Sequence, residues 1–214
     1  MSYIESVFEY LIDGMLLSTN LFVVTLVLAS LLSLLIISVY KINKVIRTLL
    51  RVYTWLFRGT PLMLQLFFFM YGLPYIGIYA DRMVVAYVTF ILNYSAYFIE
   101  ILRAGIESTP RDQEESAKVM GANKYQTYMH VILPQAIRKE LPTISSEVIN
   151  LIKDTSLVTV IALSDVMRLV KEIVSRDFTV TPFLVAAVFY LVFSFVIVSV
   201  FHKLEEKYDF LDNV

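Results

Sequence analysis

The sequence contains no cysteine. Disulfides, thiolate metal sites and cysteine nucleophiles are excluded together. Histidine is nearly absent: His130 and His202 stand far apart and offer no metal-ligand spacing. Charge is scarce as well. Only 17% of the residues are Asp, Glu, Lys or Arg, whereas soluble domains usually carry about 25%. The formal net charge is −1, so the chain has no bulk attraction for nucleic acid. The first 17 residues hold Glu5, Glu9 and Asp13 but no Lys or Arg, which is unlike the basic start of a secretory signal. None of the six glycines is followed by Lys, so a GxxxxGK[ST] phosphate loop is missing. No ATP hydrolysis by that route, and no cofactor or metal of the chain's own, is expected.

What remains is apolar: 58% of the 214 residues are hydrophobic, the composition of a polytopic membrane protein. Long uncharged runs cover Gly14–Tyr40, Gly59–Ala80, Met83–Ile99 and Phe178–Phe201, and the third can continue past Glu100 to Ala104. Leu141–Ser164 contains Glu147, Lys153 and Asp154, so hydropathy alone does not decide whether it spans. Basic residues mark the cytoplasmic side. They are absent before the first run, dense after it (Lys41, Lys44, Arg47, Arg51, Arg58) and reduced to Arg82 after the second. They are dense again after the third run (Arg103, Arg111, Lys118, Lys124, Arg138, Lys139) and recur at Lys203 and Lys207. An outside N-terminus and a cytoplasmic C-terminus demand an odd number of spans. The expected fold is all-α and integral to the membrane, a single domain over residues 1–214. Its five spans fall at about 15–40, 59–79, 83–106, 141–164 and 178–202. The outer loop before the last span is then charged, with Arg168, Lys171 and Arg176 against Asp165, Glu172 and Asp177. Lys41–Phe57 reads either as an amphipathic helix on the inner membrane surface or as a connector extending a neighbouring span.

Polar groups inside a membrane are costly and draw attention as functional candidates. Thr89, Asn93, Tyr97 and Glu100 share one helical face, as do Ser146, Asn150 and Asp154. Two such stripes on adjacent spans can line a cavity for a zwitterion. Asp154 suits an ammonium or a cationic side chain; Asn93, Thr155 and Ser156 suit a carboxylate. The competing assignment is structural: Glu100 with Lys153 as a buried pair, and Glu147 and Arg103 as gate or structural ion pairs nearer the inner surface. Arg58-Gly59-Thr60-Pro61 reads as a helix start, with Thr60 as cap and Pro61 in the first turn.

Residues 111–134 differ from their surroundings. Arg111, Asp112, Glu114, Glu115, Lys118 and Lys124 keep this passage out of lipid. Residues 115–120 suit a helix. Gly121 suits a turn with positive φ, Asn123 suits the cap of a second short helix, and Pro134 ends or redirects that helix. Val119, Met120, Tyr125 and Tyr128 are expected to be exposed. Such an elbow fits either a docking surface for another protein or a loop packed on its own chain.

The run "ESAKVMGANKYQTYMHVILP" resembles the EAA loop of ATP-binding-cassette importer permeases. That pattern is Glu-Ala-Ala, three residues, Gly, nine residues, an aliphatic residue, any residue, then Leu-Pro. It falls here on Glu115, Ser116, Ala117, Gly121, Val131, Leu133 and Pro134, with Ser116 in place of Ala and Val131 in place of Ile. "FRGTPLMLQLFF", "NYSAYFIEILRAGIES" and "LPTISSEVINLIKDTSLVTVI" are similar to the polar amino acid branch of those permeases, with Tyr94 as a departure from its common form. The resemblance runs from about residue 15 to 205. It implies five spans, short cytoplasmic coupling helices between spans 3 and 4, and residence in a prokaryotic plasma membrane. It also implies a separate ATPase dimer carrying ATP and Mg, contacted through Glu115, Ser116, Ala117, Gly121, Leu133 and Pro134. A second permease subunit, identical or paralogous, and an extracytoplasmic binding protein complete the implied assembly. The substrate-path candidates are Asn93, Tyr97, Glu100, Asp154, Thr155 and Ser156. An ion-coupled carrier or channel subunit would explain Asp154 and Lys153 but not the EAA spacing. The same importer class with an opine or sulfur-compound cargo is a further alternative.

Overall fold

The computed structural model describes residues 2–40 and 44–212, with side chains described to Lys207. Lys41, counted above among the basic residues, lies outside the described residues. All described elements are helical. Helix α1 (Tyr3–Ser38) starts in a capping box in which Ser2 and Glu5 satisfy each other's backbone N–H groups. It begins twelve residues before the expected first span. At 1.5 Å per residue its 36 residues reach about 54 Å, more than the roughly 30 Å of a hydrocarbon core.

Helix α2 (Lys44–Gly59) buries only Thr54 and exposes Val45, Leu49, Val52, Trp55 and Leu56. Pro61, which cannot donate a backbone hydrogen bond, separates it from α3 (Leu62–Phe67). Helix α3 runs on through a π turn and a 3₁₀ turn to Ile76. The expected second span is therefore no uniform helix: α2 and the 62–76 segment form a pair bent by 100°. Helix α4 (Arg82–Glu107), capped by Asp81, packs along both α1 and α2.

Three short elements follow: α5 (Arg111–Val119), α6 (Lys124–Gln126) and α7 (Leu133–Lys139). Helix α8 (Leu141–Asp154) tightens into a 3₁₀ stretch, Thr155–Ile161, which ends at Ala162 in the left-handed region. Helix α9 (Val166–Asp177) is capped by the fully buried Asp165, and α10 (Thr181–Asp212) closes the chain. Among the described residues, three helices are long and apolar enough to cross a membrane: Tyr3–Ser38, Arg82–Glu107 and Thr181–Lys207. The bent pair adds a fourth if it is taken as one span.

The packing falls into three zones. Phe22, Leu66, Phe90, Tyr94, Leu151, Val158 and Ile197 form the central core of α1, α3, α4, α8 and α10. Near the start of α1, Val7 and Leu11 meet Val166, Val170 and Ile173 of α9. Near its end, Ile37 meets Leu102, Ile106, Tyr128, Ile132 and Leu133. Helix α9 and the 111–139 passage thus lie at opposite ends of α1. The exposed Leu, Val and Phe side chains of α1 and α10 form a face suited to lipid.

Charges on α9 pair locally. Arg168 Nε lies 3.1 Å from Glu172 and Arg176 Nε lies 2.6 Å from Asp177. Tyr3 Oη donates to Asp177 at 2.8 Å. Arg176 and then Tyr3 hold the Asp177 carboxyl down to about 2.

Candidate functional site

The break between α2 and α3 organises the polar residues of the membrane region. It leaves the carbonyls of Phe57 and Thr60 without helical partners of their own. Gln65, 7% exposed, repairs this: its Nε2 donates to Phe57 O at 2.8 Å, to Thr60 O at 3.0 Å and to Thr60 Oγ1 at 2.8 Å. Asn93 Nδ2 reaches across from α4 to Phe57 O and to Gln65 Oε1, both at 3.0 Å. Thr60 does not cap α3 as the sequence suggested. Pro61 occupies that position without a side-chain bond, and the Thr60 hydroxyl donates back to Leu56 O at 2.9 Å.

Beside this clasp lies a cleft of ≈ 640 Å³. Arg58 and Thr60 come from the break, Asn93 and Tyr97 from α4, and Glu147, Asn150 and Asp154 from α8. Tyr94 is 2% exposed, and its hydroxyl donates to Asp154 Oδ2 at 2.7 Å. Rings of Phe90, Tyr97 and Phe98 surround it. The Arg58 guanidinium lies over the Tyr97 ring at 5.3 Å and 3.4 Å from Glu100. One cleft therefore holds a fixed cation on one wall and carboxylates on another, which is the charge pattern of a zwitterion in reverse.

Of the residues singled out in the sequence, Asn93, Tyr97, Glu147, Asn150 and Asp154 meet at this cleft. Thr155 is fully buried and donates to Ile152 O, and Ser156 donates to Lys153 O; neither lines the cleft. Thr89 turns into the core and donates to Val85 O. Glu100 opens instead on a neighbouring cleft of ≈ 470 Å³ with Arg51, Arg58 and Arg103. It pairs with Arg103 and Arg58, whereas Lys153 is exposed, so the alternative of a Glu100–Lys153 pair does not form. Arg103 also holds Glu107 at 2.5 Å. Sequence reasoning passed over Arg58 and Tyr94 as site members. The signal for Arg58 was a lone cation three residues before a proline at the edge of an apolar run. For Tyr94 it was the departure from the family pattern.

The 111–139 passage is built from local signals. Helix α5 ends at Gly121, whose φ of +86° strongly favours glycine. Asn123 and Gln126 form a reciprocal cap for α6. Val119 and Met120 are each 88% exposed at the elbow, with Tyr125 exposed beyond it. Glu115 and Ser116 are exposed and Ala117 is buried. Tyr128 differs from expectation: it is 6% exposed, and its hydroxyl donates to Ile37 O at 2.6 Å. Burial, with some help from Tyr40, pushes that hydroxyl up to about 12. Pro134 does not end the helix either. A π stretch over Thr127–Ile132 leads into α7, where Pro134 sits in the first turn. Leu133 is buried beneath it. Gly105 lets α4 approach this unit, since a Cβ there would meet Ala136 O at 2.9 Å.

Apolar membrane helices that keep a doubly charged cleft and expose a two-helix elbow at one end define a membrane transport component. The chain belongs to the family of binding-protein-dependent transport system inner membrane components, whose model matches residues 26–209. It is a multi-pass protein of the plasma membrane. It is 37% identical over 179 residues to the L-cystine transport system permease protein TcyB of Bacillus subtilis, covering 82% of this chain and 76% of that one. It is 32% identical to the arginine transport system permease protein ArtQ of the same organism over 92% of both chains. The octopine transport system permease protein OccM of Rhizobium radiobacter is 34% identical over 72% of this chain and 67% of its own. Among solved structures, an amino acid ABC transporter crystallised with histidines matches with a TM-score of 0.83 and 28% identity. The match covers 93% of this chain and 94% of that one.

Proposed function

We propose that this chain forms the path for a polar amino acid in an ATP-driven importer. The amino acid enters the cleft between the α2–α3 break, α4 and α8. The observation that carries this reading is the opposition of Arg58 to Glu147 and Asp154 within one cleft. Arg58 meets the carboxylate and Asp154 the ammonium or a cationic side chain. The names of relatives that transport cystine, arginine and octopine support an amino acid-like cargo. They also keep sulfur compounds and opines within range.

Five spans are reached if the bent pair counts as one and α8 with its continuation is added to the three long helices. Helix α8 and its 3₁₀ continuation have 14 and 7 residues, which at 1.5 and 2.0 Å each reach about 35 Å. The basic residues gather at the loop end of α1, which supports a cytoplasmic 111–134 passage, an outside N-terminus and a cytoplasmic C-terminus. The exposed Val119–Gly121 elbow is the docking knob for a separate ATPase dimer, which binds ATP and Mg. A second permease subunit and an extracytoplasmic binding protein complete the assembly. An ion-driven carrier does not account for family membership over residues 26–209.

The test is ATPase activity of the reconstituted complex with its binding protein, across the twenty amino acids, cystine and octopine. Stimulation by one narrow group is expected. An active ATPase that no member of this panel stimulates would refute the amino acid cargo.

A further inference from the structure

The structure assigns a second site, separate from the cleft: a phosphate-binding cavity between α2, α4 and α5, held by Arg47 and Arg111. The cavity measures ≈ 220 Å³ and includes Tyr40, Arg47, Glu107, Thr109, Arg111 and Glu114 in its wall. The Arg47 guanidinium lies over the Tyr40 ring at 5.4 Å. Its Nε is buried and has no hydrogen-bond partner among the described residues. A buried donor in that state is costly and calls for a partner, an ordered water or an anion.

The acidic residues of the wall are already engaged. Glu107 accepts from Tyr40 Oη at 3.0 Å and from Arg103 Nη1 at 2.5 Å. Glu114 accepts from Lys118 Nζ at 2.8 Å. Arg47 and Arg111 have no ion pair among the described residues. Two arginines from different helices, Arg47 on α2 and Arg111 on α5, line this one cavity, and such guanidinium groups suit a tetrahedral oxyanion, which offers acceptors in more than one plane.

The setting favours phosphate. The cavity borders Tyr40 and Arg47, and α2 presents Val45, Leu49, Val52 and Trp55 outward. That is the composition of a helix at a membrane interface, where headgroup phosphates are concentrated. The group can come from an anionic lipid or from free phosphate. In either case it bridges the interfacial helix α2 to α5. Binding rests on these residues alone; its bearing on ATPase coupling rests on the function proposed above.

The test uses the full chain in neutral detergent, stripped of lipid, with the wild type, Arg47→Gln, Arg111→Gln and Arg47→Lys. Lys171→Gln, on α9 at the other end of the molecule, serves as control. Each is titrated with sodium phosphate and, separately, with dioleoylphosphatidylglycerol in mixed micelles, read by phosphorus NMR. Circular dichroism melting confirms that each variant is folded. Arg47→Gln and Arg111→Gln should each weaken binding at least fivefold, Arg47→Lys less, and Lys171→Gln not at all. Binding of the lipid alone identifies a headgroup site, and binding of both probes in competition identifies a site for the free anion as well. No binding of either probe, or equal binding by wild type and both glutamine variants, would overturn the proposal.

Discussion

Asn93 offers a sharp separation between holding the fold and touching the cargo. It lines the cleft, yet its amide donates to Phe57 O and Gln65 Oε1, each at 3.0 Å. Asn93→Ala removes both bonds. Their loss is unequal, because Phe57 O keeps a second donor in Gln65 Nε2 at 2.8 Å, while Gln65 Oε1 loses the partner it has here. Hydrogen bonds between membrane helices average about 0.6 kcal/mol and reach about 1.7 kcal/mol. One full loss and one partial loss therefore predict a destabilisation of about 1–2 kcal/mol. This corresponds to roughly a five- to thirtyfold change in the folding equilibrium. The assay is reversible unfolding of the purified chain in mixed micelles, paired with uptake of several amino acids by the reconstituted complex. Stability should fall, and uptake should fall by a similar factor for every cargo. Unchanged stability with a loss confined to one class of amino acid would refute the argument and make Asn93 a substrate ligand.

Asp154→Asn should depress uptake of cationic amino acids more than of neutral ones, because a neutral amide cannot balance the extra charge; equal losses in competition assays would make the Tyr94–Asp154 bond purely structural. Gly121→Asp should leave the chain inserted but uncouple it. Among the described residues nothing lies within 4 Å of a Cβ there, so the effect is not a clash. A φ of +86° costs a non-glycine residue about 1–2 kcal/mol, and the new charge enters the exposed elbow. ATPase co-purification and uptake both at wild-type level would contradict this. Tyr128→Phe should cost about 0.5–1.5 kcal/mol by removing the bond to Ile37 O. The raised hydroxyl pKa makes that packing fully present below pH 10 and lost as pH rises towards 12, so the alkaline arm of a melting profile should flatten in the variant. An unchanged alkaline arm would count against it.

The features legible in the sequence were those with local causes. Long apolar runs gave α1, α4 and α10, and Gly121 and Asn123 marked the elbow and its second cap because each acts on its own few residues. Helical spacing brought Asn93 and Tyr97 to the same wall, and Asn150 and Asp154 to the facing one. It did not tell which side chains were already occupied. The Asn93 amide is claimed by a carbonyl 36 residues away, exposed by a proline break. Tyr128, expected at the surface, is drawn inward by a carbonyl 91 residues away. Thr155 and Ser156 follow Asp154 directly, but their hydroxyls fold back onto their own backbone. Such pairings depend on which helices meet, and a period along one helix carries no record of that.

The path of α1 through the molecule has a mechanical consequence. Its last turns are tied to the elbow unit by Tyr128, and its first turns are tied to α9 by Val7, Leu11 and Tyr3. A continuous helix of 36 residues has no hinge of its own to absorb a push. If it pivots about its middle by about 10°, its roughly 54 Å length moves each end by about 5 Å in opposite directions. A displacement of the elbow unit would thus emerge at α9 as a swing of opposite sense, with α1 as the lever between the two ends of the molecule.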